Sequence, residues 1–367
     1  MTAATNPTIS VIMAAYNGAA LLPETLATLS AQTFDDFEVI VVDDCSTDST
    51  REVVAAWPDP RVRLVALEQN GGPVRARNRA FAEARGRYIA ALDHDDLCHP
   101  ERFARQVTYL DAHPDTALLG TAAEILEDGV TTPSNYAPVT TPHLVAWLSR
   151  IENPLVWSSV MVRADVARRL DPFTRPDILY AEDFDLYHRI QPLGQIARLD
   201  MPLIVYRSHL GGISKRFMET MEANTLRVLT GAYTPLFGER AEATARLVGD
   251  YLMAKRPVPD RATLAALGQA LAALQTDYFA THECAASDVQ LIKWETARRW
   301  AQVGRTGLRA GTIGVADVVA VRPEHLGLGY AGVEALMWSG LVGGARRLGA
   351  QTLAAKIIRP GPSWAKT

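Results

Sequence analysis

Cysteine is scarce in this chain: Cys45, Cys98 and Cys284 are the only three in 367 residues. Three scattered thiols make neither a disulfide framework nor a zinc site, and an odd number fits a reducing compartment. Long apolar runs are lacking too. No stretch of about 20 apolar residues occurs, so no membrane span is expected. Met1–Pro7 has no basic start and no long apolar run, so it does not read as a secretory leader. A cytoplasmic protein is the expectation. Neither sign of charge prevails, with 37 Lys and Arg against 41 Asp and Glu, net −4. That leaves no global basic field and argues against nucleic acid as a partner. With 48% hydrophobic and 21% charged residues, wholesale disorder and a collagen-like fibre are excluded as well.

What is present is a change of rhythm along the chain. At roughly 150 residues per domain, the length allows two domains, or one with an appendage. Up to about residue 115, short apolar runs alternate with helical spacing. Strands are expected at Ile9–Ala14, Phe37–Val42, Val62–Leu67 and Tyr88–Leu92. Helices are expected between and after them, at 19–32, 46–57, 74–85 and 100–113. This alternation predicts an α/β fold with a parallel sheet, and the unbroken apolar strands predict burial on both faces. Beyond Asp115 the pattern loosens. Strands are expected at Leu118–Leu126 and Ser158–Val162, helices at Ala164–Leu170 and Glu182–Ile190. One more strand is expected within Ile196–Tyr206, with Pro202 marking an edge or a break.

From about Lys215 alanine, leucine and arginine dominate, and four helices are expected between Met218 and Val303, with a break at Arg256–Asp260. Residues 335–367 contain no Asp or Glu but five basic residues among Leu, Ile, Met and Trp. That is the composition of a basic interfacial helix. An ordinary helix docked on the body with a basic outer face would have the same composition.

Six segments could carry chemistry. Leu92-Asp93-His94-Asp95-Asp96 follows the fourth strand. On extended chain Asp93 and Asp95 would point the same way, and clustered carboxylates need a cation or proton between them. A hard divalent ion that also takes diphosphate oxygens suits them; a helix-capping loop is the bland reading. Asp43 and Asp44 end the second strand, where α/β folds bind ligands, and Ser46 or Thr47 could cap the next helix. Ala14-Ala15-Tyr16-Asn17-Gly18 follows the first strand and lacks the G-x-G-x-x-G of dinucleotide folds. Tyr16 could stack on a base or belong to the core. Asn70-Gly71-Gly72 permits close backbone approach, and Arg75 and Arg77 could reach phosphate or base, or simply be solvated. Glu182 and Asp183 open a helix, whose N-terminus favours their ionised form. His209 lies beyond the last strand, where a structural role and a ligand role are both open.

In this order the six segments resemble the family 2 glycosyltransferases of GT-A fold. The resemblance covers residues 8 to about 215 and does not extend to 216–367. It implies a GT-A nucleotide-sugar-binding and catalytic domain over 1–215. Residues 216–334 are then a helical region on the acceptor side or at an oligomer contact, and 335–367 the basic tail. It implies an inverting transfer of a sugar, from a UDP-sugar in the first instance, to a hydroxyl of a glycan or lipid-linked glycan. The nucleotide-sugar set it implies is Ala14, Tyr16, Asn17, Asp44, Arg75, Arg77, Asp93 and His94, with Asp44 on the uracil and Tyr16 near the base. The segment 71–77 matches loosely and leaves the choice between Arg75 and Arg77 open. Asp95, with Asp93 and His209, would hold Mn²⁺ or Mg²⁺ on the diphosphate. Asp183, beside Glu182, would be the catalytic base. A basic tail at an anionic membrane, a homodimer contact, and a non-catalytic scaffold in polysaccharide assembly are further readings it leaves open. A metal-dependent phosphatase or nucleotidyltransferase built on Asp93 and Asp95 would leave Glu182, Asp183 and His209 without a role.

Overall fold

In the computed structural model, residues 6–134, 137–209, 211–323 and 333–347 are described. Contacts divide the chain into two compact units, Met1–Ser149 with Asn153–Val228, and Arg150–Glu152 with Leu229–Thr367.

The first unit is built on a mixed sheet. Its elements in chain order are β1 (Ile9–Ala15), α1 (Leu22–Ser30), β2 (Phe37–Asp43), α2 (Thr50–Ala55), β3 (Val62–Ala66), α3 (Pro73–Glu83) and β4 (Tyr88–Ala91). Then come β5 (Leu97–Cys98), α4 (Arg102–Ala112), β6 (Thr116–Glu127), β7 (Val130–Pro133), α5 (Pro142–Leu148), β8 (Met161–Arg163), α6 (Ala164–Ala167), α7 (Glu182–Ile190) and β9 (Gln195–Ser208). The spatial order is β3-β2-β1-β4-β8-β6-β9-β5, with β7 paired to β6. The first four strands are parallel; β8 runs against both of its neighbours. All seven residues of β1 and of β2 are buried. Their continuous apolar runs follow from helices covering both faces of a parallel sheet.

The chain order reverses beside β1: β2 and β3 lie on one side of it, β4 on the other. At such a switch point the loops leaving the strands' carboxyl ends diverge and open a crevice. The loops after β1, β2 and β4 carry Tyr16, Asp44 and Asp93–Asp96 to that edge. Helix α1 shows why the local sequence folds as it does. Pro23 sits in its first turn, and Leu22, Thr25, Leu26 and Leu29 form one buried stripe. Each fully buried leucine there contributes about 1.5–3 kcal/mol.

Several elements depart from the sequence expectation. Helix α2 starts at Thr50, not at Ser46, because the Asp48 side chain accepts from the Thr50 N–H at 3.0 Å and holds residues 46–49 as a loop. Strand β9 is not an edge: β6 flanks it and β5 pairs its far side at Val205 and Ile204. Its ladder shifts register between Leu199 and Pro202, so the proline marks a bulge. Ser158 and Ser159 lie in a 3₁₀ turn, and β8 begins only at Met161. The β6–β7 hairpin turns on Asp128-Gly129, both at positive φ, the Asp-Gly turn chemistry of tight hairpins.

The second unit is helical in its described part. Its elements are the C-terminal part of α9, α10 (Ala241–Val248), α11 (Arg261–Thr281), α12 (Ala286–Ala310), α13 (Val315–Ala320) and α14 (Val333–Arg347); α8 (Ile213–Arg216) precedes α9 (Met218–Phe237). Asp260 caps α11, accepting from the Thr263 N–H at 2.7 Å. Arg299 is buried and pairs with Glu152 and Glu295. A Cβ at Gly343 of α14 would collide with the Leu308 carbonyl, so α14 packs tightly on the end of α12. Its outer face shows Met337, Trp338 and Leu341 to solvent. The remaining residues of the predicted tail, 348–367, lie outside the described residues. Among the described residues no helix is long and apolar enough to cross a membrane.

Candidate active site

The loop after β1 is tied to the loop after β2. The Asn17 N–H donates to Ser46 Oγ at 2.9 Å, and Asn17 Oδ1 accepts from the Thr47 N–H at 2.8 Å. Asn17 and Cys45 both adopt positive φ, an uncommon backbone state for residues other than glycine and one concentrated at functional loops. Tyr16 projects from this edge with 45% of its surface exposed. It is not a core tyrosine, and its ring is free to stack on a planar ligand.

Asp44 is buried, and its two carboxylate oxygens accept from the Gly71 and Gly72 N–H groups at 2.8 and 2.7 Å. Burial pushes this carboxyl up, while the two glycine N–H groups and the Arg75 charge work against that. Gly72 has φ +82°, a conformation that glycine adopts without strain. Each carboxylate oxygen keeps a second lone pair for a ligand N–H. Arg75 is exposed, its chain folded over Gly71.

Arg77, two positions on, is buried. It donates to Asp93 at 2.9 Å, pairs with Glu182, and lies 4.9 Å from the Trp157 ring centroid. Burial works against its charge, but Asp93 and Glu182 more than offset this and hold its pKa above the ordinary value. The structure thus separates two arginines that the sequence leaves equivalent: Arg75 faces solvent beside Asp44, and Arg77 ties two acidic segments together.

The Asp93–Asp96 segment is a turn, not extended chain, closed by the Asp96 N–H on the Asp93 carbonyl at 3.3 Å. The expected i, i+2 convergence of Asp93 and Asp95 therefore gives way to separate partners. Asp93 engages Arg77, and Asp95 Oδ2 lies 2.9 Å from His209 Nε2. His94 packs on Gly18 and its Nδ1 lies 3.3 Å from the Ala14 carbonyl. A Cβ at Gly18 would stand 2.4 Å from the His94 ring, so this contact requires glycine. Asp96 is wholly buried between the Ser158 hydroxyl and the Arg207 N–H. Burial first, then the charges of Asp95 and Asp93, push its carboxyl well above the usual range. Arg102, also fully buried, donates to the carbonyls of Ala91 and Val160 and pins the start of this loop.

Asp183 Oδ2 accepts from Asn153 Nδ2 at 2.9 Å, and Oδ1 from the Phe184 N–H at 2.7 Å. Burial raises its carboxyl above the usual range, against the pull of those two bonds and of Arg77. Glu182 is buried and raised for the same first reason. Tyr180, just before them, is held at φ 66° and stacks on Phe217 at 4.6 Å between centroids. Arg77, Asp93, Trp157, Tyr180, Glu182 and Asp183 line one cavity of about 430 Å³. The structure therefore brings Arg77, Asp93, Glu182 and Asp183 together. Asp95 and His209 form a pair of their own, as do Asp44 and the Gly71-Gly72 backbone.

Asn153 and Ser158 were not singled out from the sequence, and Asp96 and Arg207 lay inside singled-out segments but were given no role. Asp96 had a signal, as the last acid of the turn. Asn153 had none, since its partner stands 30 positions away.

Comparison with known proteins then places the chain. The family model described as Glycosyl transferase family 2 matches residues 10–170. Residues 10–170 are thus similar to the glycosyl transferase family 2 domain. Within 106 residues, 29% of the chain, it is 48% identical to the succinoglycan biosynthesis protein ExoO of Rhizobium meliloti, covering 30% of that protein. It is 29% identical over 213 residues to the amylovoran biosynthesis glycosyltransferase AmsE of Erwinia amylovora, covering 56% of this chain and 79% of that one. The chain spans about a third or less of the first two curated relatives it matches. The solved structure of S. aureus TarS 1-349 in complex with UDP-GlcNAc matches with TM-score 0.52 and 19% identity, covering 93% of this chain and 92% of that one. The first unit has the GT-A fold.

Proposed function

We propose that the protein is an inverting glycosyltransferase that moves a sugar from a nucleotide diphosphate donor, a UDP-sugar in the first instance, to a glycan or lipid-linked hydroxyl. The observation that carries this reading is that one cavity joins Asp93, at the switch-point edge, to Asp183 through Arg77 and Glu182.

In this reading Asp44 accepts from the uracil N–H and Tyr16 stacks on the base. Asn153 and the Phe184 N–H hold the Asp183 carboxylate in one orientation. The acceptor oxygen attacks C1 of the sugar from the face opposite the diphosphate. Its proton passes to Asp183 as the C1–O bond to the phosphate breaks, and the nucleoside diphosphate leaves with the bonding pair. One displacement inverts C1.

Among the described residues no group of three or more His, Cys, Asp or Glu is arranged to hold a metal. Asp95 Oδ2 and His209 Nε2 are adjacent, and this oxygen-plus-imidazole pair fits a cation that takes its remaining ligands from diphosphate and water. Held by Asp95 and His209, Mn²⁺ or Mg²⁺ would supply positive charge to the leaving diphosphate.

The raised Asp183 carboxyl sets a pH dependence. The base accepts a proton only when ionised, so kcat/KM falls as pH drops through its folded pKa. Because that pKa lies above the ordinary aspartate value, the acid limb for UDP release from a UDP-sugar is expected above the usual carboxylate range. A limb at or below the ordinary aspartate value would remove Asp183 as the base.

The second unit and the tail serve the acceptor in this reading. Met337, Trp338 and Leu341 lie exposed beside an acid-free sequence, and each basic residue near an anionic surface contributes about 1 kcal/mol. Truncation after Arg347 keeps the packed helix α14. It is expected to weaken co-sedimentation with phosphatidylglycerol vesicles and to leave UDP binding unchanged. Equal sedimentation of both forms would assign the tail to a docking or dimer contact.

A further inference from the structure

Three residues that line the cavity beside Asp183 carry polar atoms that the mechanism above does not use. Trp157 Nε1, Glu182 Oε2 and Arg77 Nε are buried and have no hydrogen-bond partner among the described residues. Trp157 is 7% exposed, Glu182 3% and Arg77 6%. All three residues line the same cavity. A buried polar atom without a partner costs roughly 1–3 kcal/mol in general, and several on one wall call for a ligand that satisfies them together.

Their signs restrict that ligand. Trp157 and Arg77 offer donors, and Glu182 offers an acceptor. A phosphate has acceptors alone and would meet the carboxylates of Asp93, Glu182 and Asp183. An apolar group would satisfy none of the three atoms. A hydroxyl both donates and accepts, so neighbouring hydroxyls of a neutral ring answer a wall of mixed sign. The cavity volume lies in the range of small-molecule sites, about 300–1,000 Å³.

We propose that Trp157 Nε1 and Glu182 Oε2 form a hydroxyl-reading subsite for a pyranose ring. It selects the sugar by the hydroxyls set beside Asp183. The inference rests on the glycosyltransferase reading and extends it to two specificity-determining residues. The ring is either the one transferred or the one accepting, and both present the same chemistry.

The test follows the Trp157 indole N–H by ¹H–¹⁵N NMR, assigned by its loss in Trp157→Phe, in the full-length protein. The probes are UDP, UDP-glucose, UDP-N-acetylglucosamine, and methyl glucopyranosides added over saturating UDP. A shift with a UDP-sugar but not with UDP assigns the subsite to the donor ring. A shift only with the methyl glucosides assigns it to the acceptor ring. Calorimetry then gives a second readout. Trp157→Phe is expected to weaken binding of the responding sugar about tenfold and to leave UDP affinity unchanged. If UDP-sugars bind and the indole resonance responds to no sugar, the subsite is overturned and the transferase reading stands. If neither UDP nor any UDP-sugar binds wild-type protein, both fall together. Should Trp157→Phe not fold, comparison of UDP-glucose with its deoxy analogues on the wild type replaces it. Uniform affinity across the deoxy series overturns the subsite.

Discussion

Asp183→Asn is expected to lower turnover by roughly 10²–10⁴, the range in which a general base acts, with UDP binding retained. The substitution keeps the side-chain shape. Its amide oxygen can still accept from the Phe184 N–H, which now bonds Asp183 Oδ1. The Asn153 amide, which now donates to Asp183 Oδ2, can turn to present its oxygen to the new amide. The fold should therefore survive, and the loss should fall on kcat. Asp183→Asn turnover within a few-fold of wild type, measured as UDP release, would contradict the assignment. A loss of UDP affinity in parallel would instead make Asp183 a donor-binding residue.

The largest expected effect on stability belongs to Arg77. Its guanidinium is buried against Trp157 and pairs with Asp93 and Glu182. Removing one member of a buried pair strands the other charge and costs about 3–5 kcal/mol. Arg77→Met should accordingly lower Tm by roughly 10 °C. The sign of its pH dependence is also fixed. Burial already raises the Glu182 carboxyl, and Arg77 pulls it down. Without Arg77 the folded pKa rises further, so ionised Glu182 opposes folding above its unfolded pKa. The deficit of Arg77→Met should then be full at neutral pH and shrink as acidification protonates Glu182. Adding Glu182→Gln should recover part of the lost stability. An unchanged Tm, or a deficit that grows in acid, would show that this pair does not hold the cavity wall.

Particular residues show what was legible in the sequence. Strands β1, β2 and β4 were legible because burial on both faces leaves a continuous apolar run, as in Ile9–Ala15. Asp44, Asp93 and Asp183 stood out because each follows or opens a regular element at a strand end or helix start. The turn at Asp93–Asp96 was not legible, since i, i+2 convergence presumes extended chain and the Asp96 N–H closes on Asp93 instead. Nor could spacing separate Arg75 from Arg77. Both lie in α3, and only the tertiary placement of Glu182, 105 positions away, draws one of them inside. Asn153 and Trp157 were silent for the same reason: what they touch comes from distant segments. Strand β7 was not expected from the sequence, although Asp128-Gly129 is the turn chemistry of a tight hairpin.

The most direct test of the account is calorimetric titration of the full-length protein with UDP, GDP, CDP and TDP, each with and without Mn²⁺. The account predicts that UDP binds best, that Mn²⁺ tightens it, that His209→Ala removes the Mn²⁺ dependence, and that Asp44→Ala weakens binding with or without the metal. Well-folded protein that binds none of the four nucleotides would contradict it.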